Sequence, residues 1–223
     1  MEQGIDWQLV RDSILPLLDG LVRGTIPVTA ISFVLGLLLA VLVALMRLSK
    51  VRLVSWLARA YVSVIRGTPL LLQLFIIFFG LPAFGVTLDP YPSAIIAFTL
   101  NVAGYASEVV RASILAIPRG QWEAASSIGM DYATTLRRVV LPQATRVAVP
   151  PLSNTLISLV KDTSLASTIL VTEMFRKAQE IAAPTFQFFT LYTVAAVIYW
   201  VVCFVLSVVQ TRAEHRLGRY VAA

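Results

Sequence analysis

Histidine and cysteine are almost missing from this chain, with one of each in 223 residues, His215 and Cys203. A lone cysteine inside an apolar run closes no internal disulfide and reads as a small packing hydrophobe. A lone histidine near the C-terminus, without ligand-type neighbours, does not build a zinc site. Charge is scarce too: 13% of the residues are Asp, Glu, Lys or Arg, against roughly 25% in soluble domains. There is no Walker-type phosphate loop, no metal-ligand spacing and no nucleophile elbow. The chain therefore carries no catalytic cluster and does not hydrolyse ATP itself. Nor does its start read as a cleavable signal, because Glu2, Asp6, Asp12 and Asp19 crowd it and no basic residue precedes Arg11. A signal peptide opens with positive charge, so the mature chain is expected to begin near Met1.

What the chain has in excess is apolar surface, with 58% hydrophobic residues and a mean hydropathy of +0.81. That is the composition of an all-α integral membrane protein. The net charge of +6 would suit nucleic acid, but the basic residues sit at the ends of apolar runs, which argues against that partner. A spanning helix needs about 20 mostly apolar residues. Segments 26–46 and 188–209 meet this without a charge, and segments 56–80, 92–117 and 147–172 meet it with a few. Five spans place the termini on opposite sides of the membrane. Arg47, Lys50, Arg52, Arg59, Arg119, Arg137, Arg138, Arg146, Arg212, Arg216 and Arg219 fall on one face. Only Arg11, Arg23, Arg176 and Lys177 fall on the other. The excess of Lys and Arg marks the cytoplasmic side, so the N-terminus is outside and the C-terminus cytoplasmic. Residues 10–21 suit either an amphipathic helix at the outer interface or a lead-in to the first span. No repeat relates the two halves, which argues against an inverted-repeat secondary transporter.

Ionisable groups at membrane depth are costly and face protein or a water-filled cavity. Glu108 and Arg111 share a helix face at i,i+3 and can pair, either as a structural ion pair or as a gating contact. Lys161 and Asp162 lie next to Thr163 and Ser164 and make a polar break in the fourth span, suited to a cavity lining or to polar helix packing. Asn101 lies near mid-depth in the third span, with Tyr105 one turn on, and an amide in hydrocarbon needs a partner. In Arg66-Gly67-Thr68-Pro69, the proline either kinks the helix or marks its true start, while Arg66 snorkels to the interface.

Between the third and fourth spans, residues 118–146 form the longest polar, charged stretch, QWEAASSIGMDYATTLRRVVLPQA being its core. Glu123, Ala124 and Ala125 precede Gly129, which permits a sharp turn, and Leu141 and Pro142 follow. Small residues and a turn on the basic face suit insertion into a partner's groove.

This spacing resembles the EAA loop of permease subunits in bacterial ABC importers. RGTPLLLQLF, NVAGYASEVVRASI and SNTLISLVKDTSL are similar to the polar amino acid branch, and the run from GQWEAASSIGM to EMFRKAQEIA looks closest to cystine permeases. The likeness extends from about residue 20 to residue 215. It implies one permease domain over residues 1–223 with the type I importer fold, in the bacterial cytoplasmic (inner) membrane. It implies an ABC ATPase subunit that binds the ATP, an extracytoplasmic solute-binding protein, a second permease copy forming a homodimer, and an amino acid as substrate. Cystine is the expected substrate, with arginine, glutamine and histidine as alternatives. Glu123, Ala124, Ala125, Gly129, Leu141 and Pro142 would dock the ATPase, and no cofactor is expected in the chain. Asp162 would meet the substrate ammonium, with Asn101 or a hydroxyl of Thr163 or Ser164 on the carboxylate. Tyr105 joins that site, and Arg66, Glu108, Arg111 and Lys161 are structural or gating charges. An oligomeric channel and a membrane assembly factor are the rival readings.

Overall fold

The computed structural model describes residues 6–218, and all of its regular elements are helical. Glu2 and Arg219 lie outside the described residues. Helix α1 (Trp7–Gly20) opens on Asp6, whose carboxylate accepts from the Gln8 and Leu9 N–H groups. It runs through a wide turn at Leu21–Thr25 into α2 (Ile26–Leu48), giving one continuous apolar helix of 42 residues. At 1.5 Å per residue this is about 63 Å, twice a bilayer core of about 30 Å. Residues 10–21 are thus a lead-in continuous with the first span, not a separate interfacial helix.

The second span is broken. Helices α3 (Arg52–Gly67) and α4 (Leu70–Phe75) meet at a bend of 107°, and the chain continues through Ile76–Gly80 and Leu81–Phe84. The residue before a proline is pushed out of the helical region, and Thr68 lies at φ −121°, ψ 145°. Pro69 then caps a new helix. Segment 56–80 is accordingly two helices at a steep angle and not a single rod. Helix α5 (Pro90–Leu115) is a single unbroken span. After the short helices α6 (Arg119–Ser127) and α7 (Tyr132–Thr135), α8 (Leu141–Asp162) passes into a tighter turn at Thr163–Ile169. That stretch joins α9 (Met174–Thr185) at a bend of 48°. Helix α10 (Phe188–Gly218) closes the fold. Among the described residues three helices are long and apolar enough to cross a membrane, or up to five spans when each bent pair counts as one.

Helix α5 is the hub, packed on α2, α3, α4 and α8. Lipid removes the hydrophobic drive for helix association, so close contact depends on small residues. Ala94, Ala97, Ala103 and Ala106 of α5 and Ala40 of α2 are fully buried. Gly36 lets α2 approach α5 closely: a Cβ there would stand 2.6 Å from Val102 Cγ1. Phe98, Val28, Leu74 and Ile169 fill the centre. Glu173, at the start of α9, is a fully buried carboxylate that caps its own helix through the Phe175 and Arg176 N–H groups. It also accepts from Tyr199 Oη at 2.9 Å and Thr25 Oγ1 at 3.3 Å, tying three helices together.

Candidate functional site

The polar loop is an ordered unit. Ile114, Ile117, Val140 and Ala144 form a buried cluster with Trp122 and Leu136 packed against it. Trp122 also stacks on Tyr132 at 5.4 Å. Helix α6 ends in a Schellman motif: the Met130 N–H reaches the Ala125 carbonyl and the Gly129 N–H the Ser126 carbonyl, both at 3.0 Å. That motif needs a left-handed residue at its turn, and Gly129 supplies it at φ +79°. Asp131 then caps α7, its carboxylate accepting from the Thr134 N–H at 3.1 Å. Bonds from the Thr134 hydroxyl and amide hold the Asp131 carboxyl below the usual aspartate range.

The loop divides the residues grouped by sequence. Glu123, Ala124, Gly129, Leu141 and Pro142 are exposed. Ala125 is 4% exposed and packs inward, so it shapes the loop and offers no contact to a partner. Ile128 and Tyr132, which sequence reasoning passed over, are the most exposed large hydrophobic side chains here, at 77% and 71%. Apolar residues flanking the glycine in a polar stretch were the available signal.

A cleft of about 510 Å³ opens between the α3–α4 break, α5 and α8. Asn101, Tyr105 and Asp162 line it together, joined by Thr68, Asn154 and Ser158. The last two were missed, although 154, 158 and 162 recur every fourth residue and so form one helical stripe. Thr163 and Ser164 do not line the cleft. Their hydroxyls donate to the Val160 and Lys161 carbonyls, each at 2.7 Å. Neither hydroxyl is left to donate to a carboxylate, which corrects the role expected for them. Lys161 is exposed and does not line the cleft.

The Asn101 amide is tied to the helix break. Its Nδ2 donates to Gln73 Oε1 at 3.1 Å, and Gln73 Nε2 donates to the Ile65 and Thr68 carbonyls at 2.8 and 3.1 Å. Arg66 lies over the Tyr105 ring, 5.4 Å from its centroid, a cation–π contact at the cleft's rim in place of simple snorkelling. Nearer the cytoplasmic end of α5, Glu108 binds Arg111 as its spacing predicts, and also Arg47 from the end of α2. This ion triad joins α2 to α5. No group of His, Cys, Asp and Glu among the described residues is placed to hold a metal.

The family model for the binding-protein-dependent transport system inner membrane component matches residues 32–219. The chain belongs to that family. It is 61% identical to the L-cystine transport system permease protein TcyB of Bacillus subtilis (strain 168), over 98% of this chain and 94% of that protein. It is 35% identical to the arginine transport system permease protein ArtQ of the same organism, over 96% of this chain and 97% of the relative. Among solved structures, it superposes on the crystal structure of an amino acid ABC transporter with histidines at a TM-score of 0.91 and 33% identity, covering 96% of this chain and all of that one. This permease is a multi-pass protein of the cytoplasmic membrane and a transport component, not a catalytic enzyme. Its importer also includes an ATPase and a substrate-binding protein.

Proposed function

We propose that this permease carries L-cystine inward, as one of two identical copies driven by a cytoplasmic ATPase. The observation that supports the substrate is the 61% identity to a protein named for L-cystine transport, held over 98% of this chain. On this reading a ligand released by the binding protein enters the cleft of Asn101, Tyr105 and Asp162 from outside. The exposed surface of the loop, with Glu123, Ala124, Gly129, Leu141 and Pro142, docks the ATPase. Closure of the ATPase subunits on ATP moves these loops, which are anchored to α5 and α8 through the Trp122 cluster. The motion passes into the two helices that flank the cleft. Glu108 with its two arginines keeps α2 and α5 moving as one body.

Uptake of labelled cystine into vesicles carrying permease, ATPase and binding protein tests the substrate. Unlabelled cystine is expected to compete, and a hundredfold excess of arginine, glutamine or histidine is not. A second reading, import of another polar amino acid, rests on the arginine relative at 35% identity; equal competition by arginine would favour it. The mass of the purified complex tests the pairing: two copies of this chain support a homodimer, and a second, different permease chain contradicts it.

A further inference from the structure

Two asparagines line the cleft, and each is bound to a glutamine whose own orientation is fixed by acceptors. Gln73 faces the carbonyls freed by the break in the second span. In an unbroken helix the Ile65 carbonyl would bond the N–H of residue 69, but residue 69 is proline and has none. Gln73 Nε2 takes its place at 2.8 Å and also meets the Thr68 carbonyl at 3.1 Å. A carbonyl only accepts, so Nε2 must point at the break and Oε1 at Asn101. Asn101 then donates Nδ2 to Oε1 at 3.1 Å, and its own carbonyl oxygen is left for the cleft.

On the opposite wall the polarity is reversed. Gln210 of α10 donates Nε2 to the Glu214 carboxylate at 2.8 Å and approaches the Pro150 carbonyl at 3.4 Å. The carboxylate only accepts, so Nε2 must face it, and the second hydrogen of that nitrogen goes to Asn154 Oδ1 at 3.0 Å, the nearer of the two remaining acceptors. Asn154 therefore offers its NH2 group to the cleft. Asn154, Ser158 and Asp162 lie on one stripe of α8, with about 12 Å of rise between the first and last.

We propose that Gln73 and Gln210 are positioning residues that set the two asparagine amides in opposite senses, so that the cleft binds an amino acid's backbone in one orientation. The ammonium lies against the Asn101 carbonyl oxygen and Asp162. The carboxylate lies against the Asn154 amide and the Ser158 hydroxyl. This rests on the reading of the cleft as the ligand's site, and it reverses the role expected of Asn101 from sequence, which was to meet the carboxylate.

The test is direct binding of labelled cystine to the purified permease–ATPase complex in nanodiscs, without binding protein. Asn101→Ala and Asn154→Ala are each expected to weaken binding about tenfold, the scale of one hydrogen bond to a charged group. Gln73→Lys still donates to the Ile65 and Thr68 carbonyls but also donates to Asn101, turning its amide around. It is expected to weaken binding at least as much, with unchanged thermal stability. In the Asn101→Ala background it should have no further effect, because it acts only through that amide. Gln73→Leu in the same pair of backgrounds gives an independent check should the lysine variant fold poorly. N,N′-diacetylcystine, without ammonium groups, should compete poorly with the wild type and relatively better with Asn101→Ala. The dimethyl ester should show that pattern with Asn154→Ala. If the wild type binds nothing, or Asn101→Ala binds as well as the wild type, the cleft is not the ligand's site and the inference falls with it. If Asn101→Ala weakens binding but the Gln73 substitutions are silent or multiply with it, the site stands and the positioning role is overturned.

Discussion

Replacing Gly129 by alanine perturbs the coupling loop through the backbone alone. A Cβ built at this position meets no atom within 4 Å, so there is space for the methyl group. What opposes it is φ at +79°, a left-handed conformation that costs an L-residue about 1–2 kcal/mol. The Schellman bonds from Met130 and Gly129 hold only in that conformation, and Trp122 and Leu136 fix the loop on either side. The free loop of the variant can relax, whereas the docked loop must recover the native turn. The lost free energy therefore appears in ATPase binding, as a factor of roughly 5–30 in affinity. Gly129→Asn should recover most of it, because asparagine enters the left-handed region more readily. Gly129→Val should be the worst of the three, being β-branched. The assay is titration of purified ATPase subunit onto permease in nanodiscs. Alanine binding as tightly as glycine, or asparagine binding as weakly as alanine, would refute the conformational account and point to direct contact of the bare glycine with the partner.

Three further expectations concern the membrane helices. Asp162→Asn keeps the shape of the cleft and removes its charge, so ATP-driven uptake should fall at least tenfold while the complex purifies intact; unchanged uptake removes Asp162 from the site. Glu108→Gln leaves Arg47 and Arg111 without their shared carboxylate, and the Nε of each already lacks a partner. With the carboxylate 27% exposed, a loss of about 2 kcal/mol is expected, below the range for a fully buried pair. The melting temperature should drop by roughly 4–8 °C, and an unshifted melting curve would show that the triad does not hold α2 to α5. Gly36→Ala drives a methyl group to 2.6 Å from Val102 Cγ1 and 3.1 Å from the Thr99 carbonyl. It should destabilise by about 1–3 kcal/mol, and a wild-type melting temperature would mean that the two helices can separate freely.

Sequence was most informative where composition and local spacing act alone. Charge-free runs announce spans, an i,i+3 carboxylate and guanidinium announce their pair, and Gly129 announces its turn. Asn101, Tyr105 and Asp162 could be singled out because polar groups at membrane depth are conspicuous. What remained hidden depends on contacts between distant segments. Arg47 reads as an ordinary cytoplasmic flank until α2 and α5 pack and bring it to Glu108. Gln73 and Gln210 lie in apolar runs, and only the fold gives each its carbonyl acceptors. Thr163 and Ser164 looked available because the tight turn that engages their hydroxyls was not foreseen. Pro69 allowed either a kink or a new start, and the structure shows a new helix at 107° to the first. Glu173 follows an apolar span as any surface charge would, and its burial requires Thr25 and Tyr199 from two other helices.

The central claim, that this chain is a gate worked by another protein's nucleotide, is tested most directly in proteoliposomes built from purified parts. Labelled cystine should accumulate only when permease, ATPase, binding protein and ATP are all present, with no accumulation when any one is withheld. Accumulation by the permease alone, or by the complete system without ATP, would contradict the account.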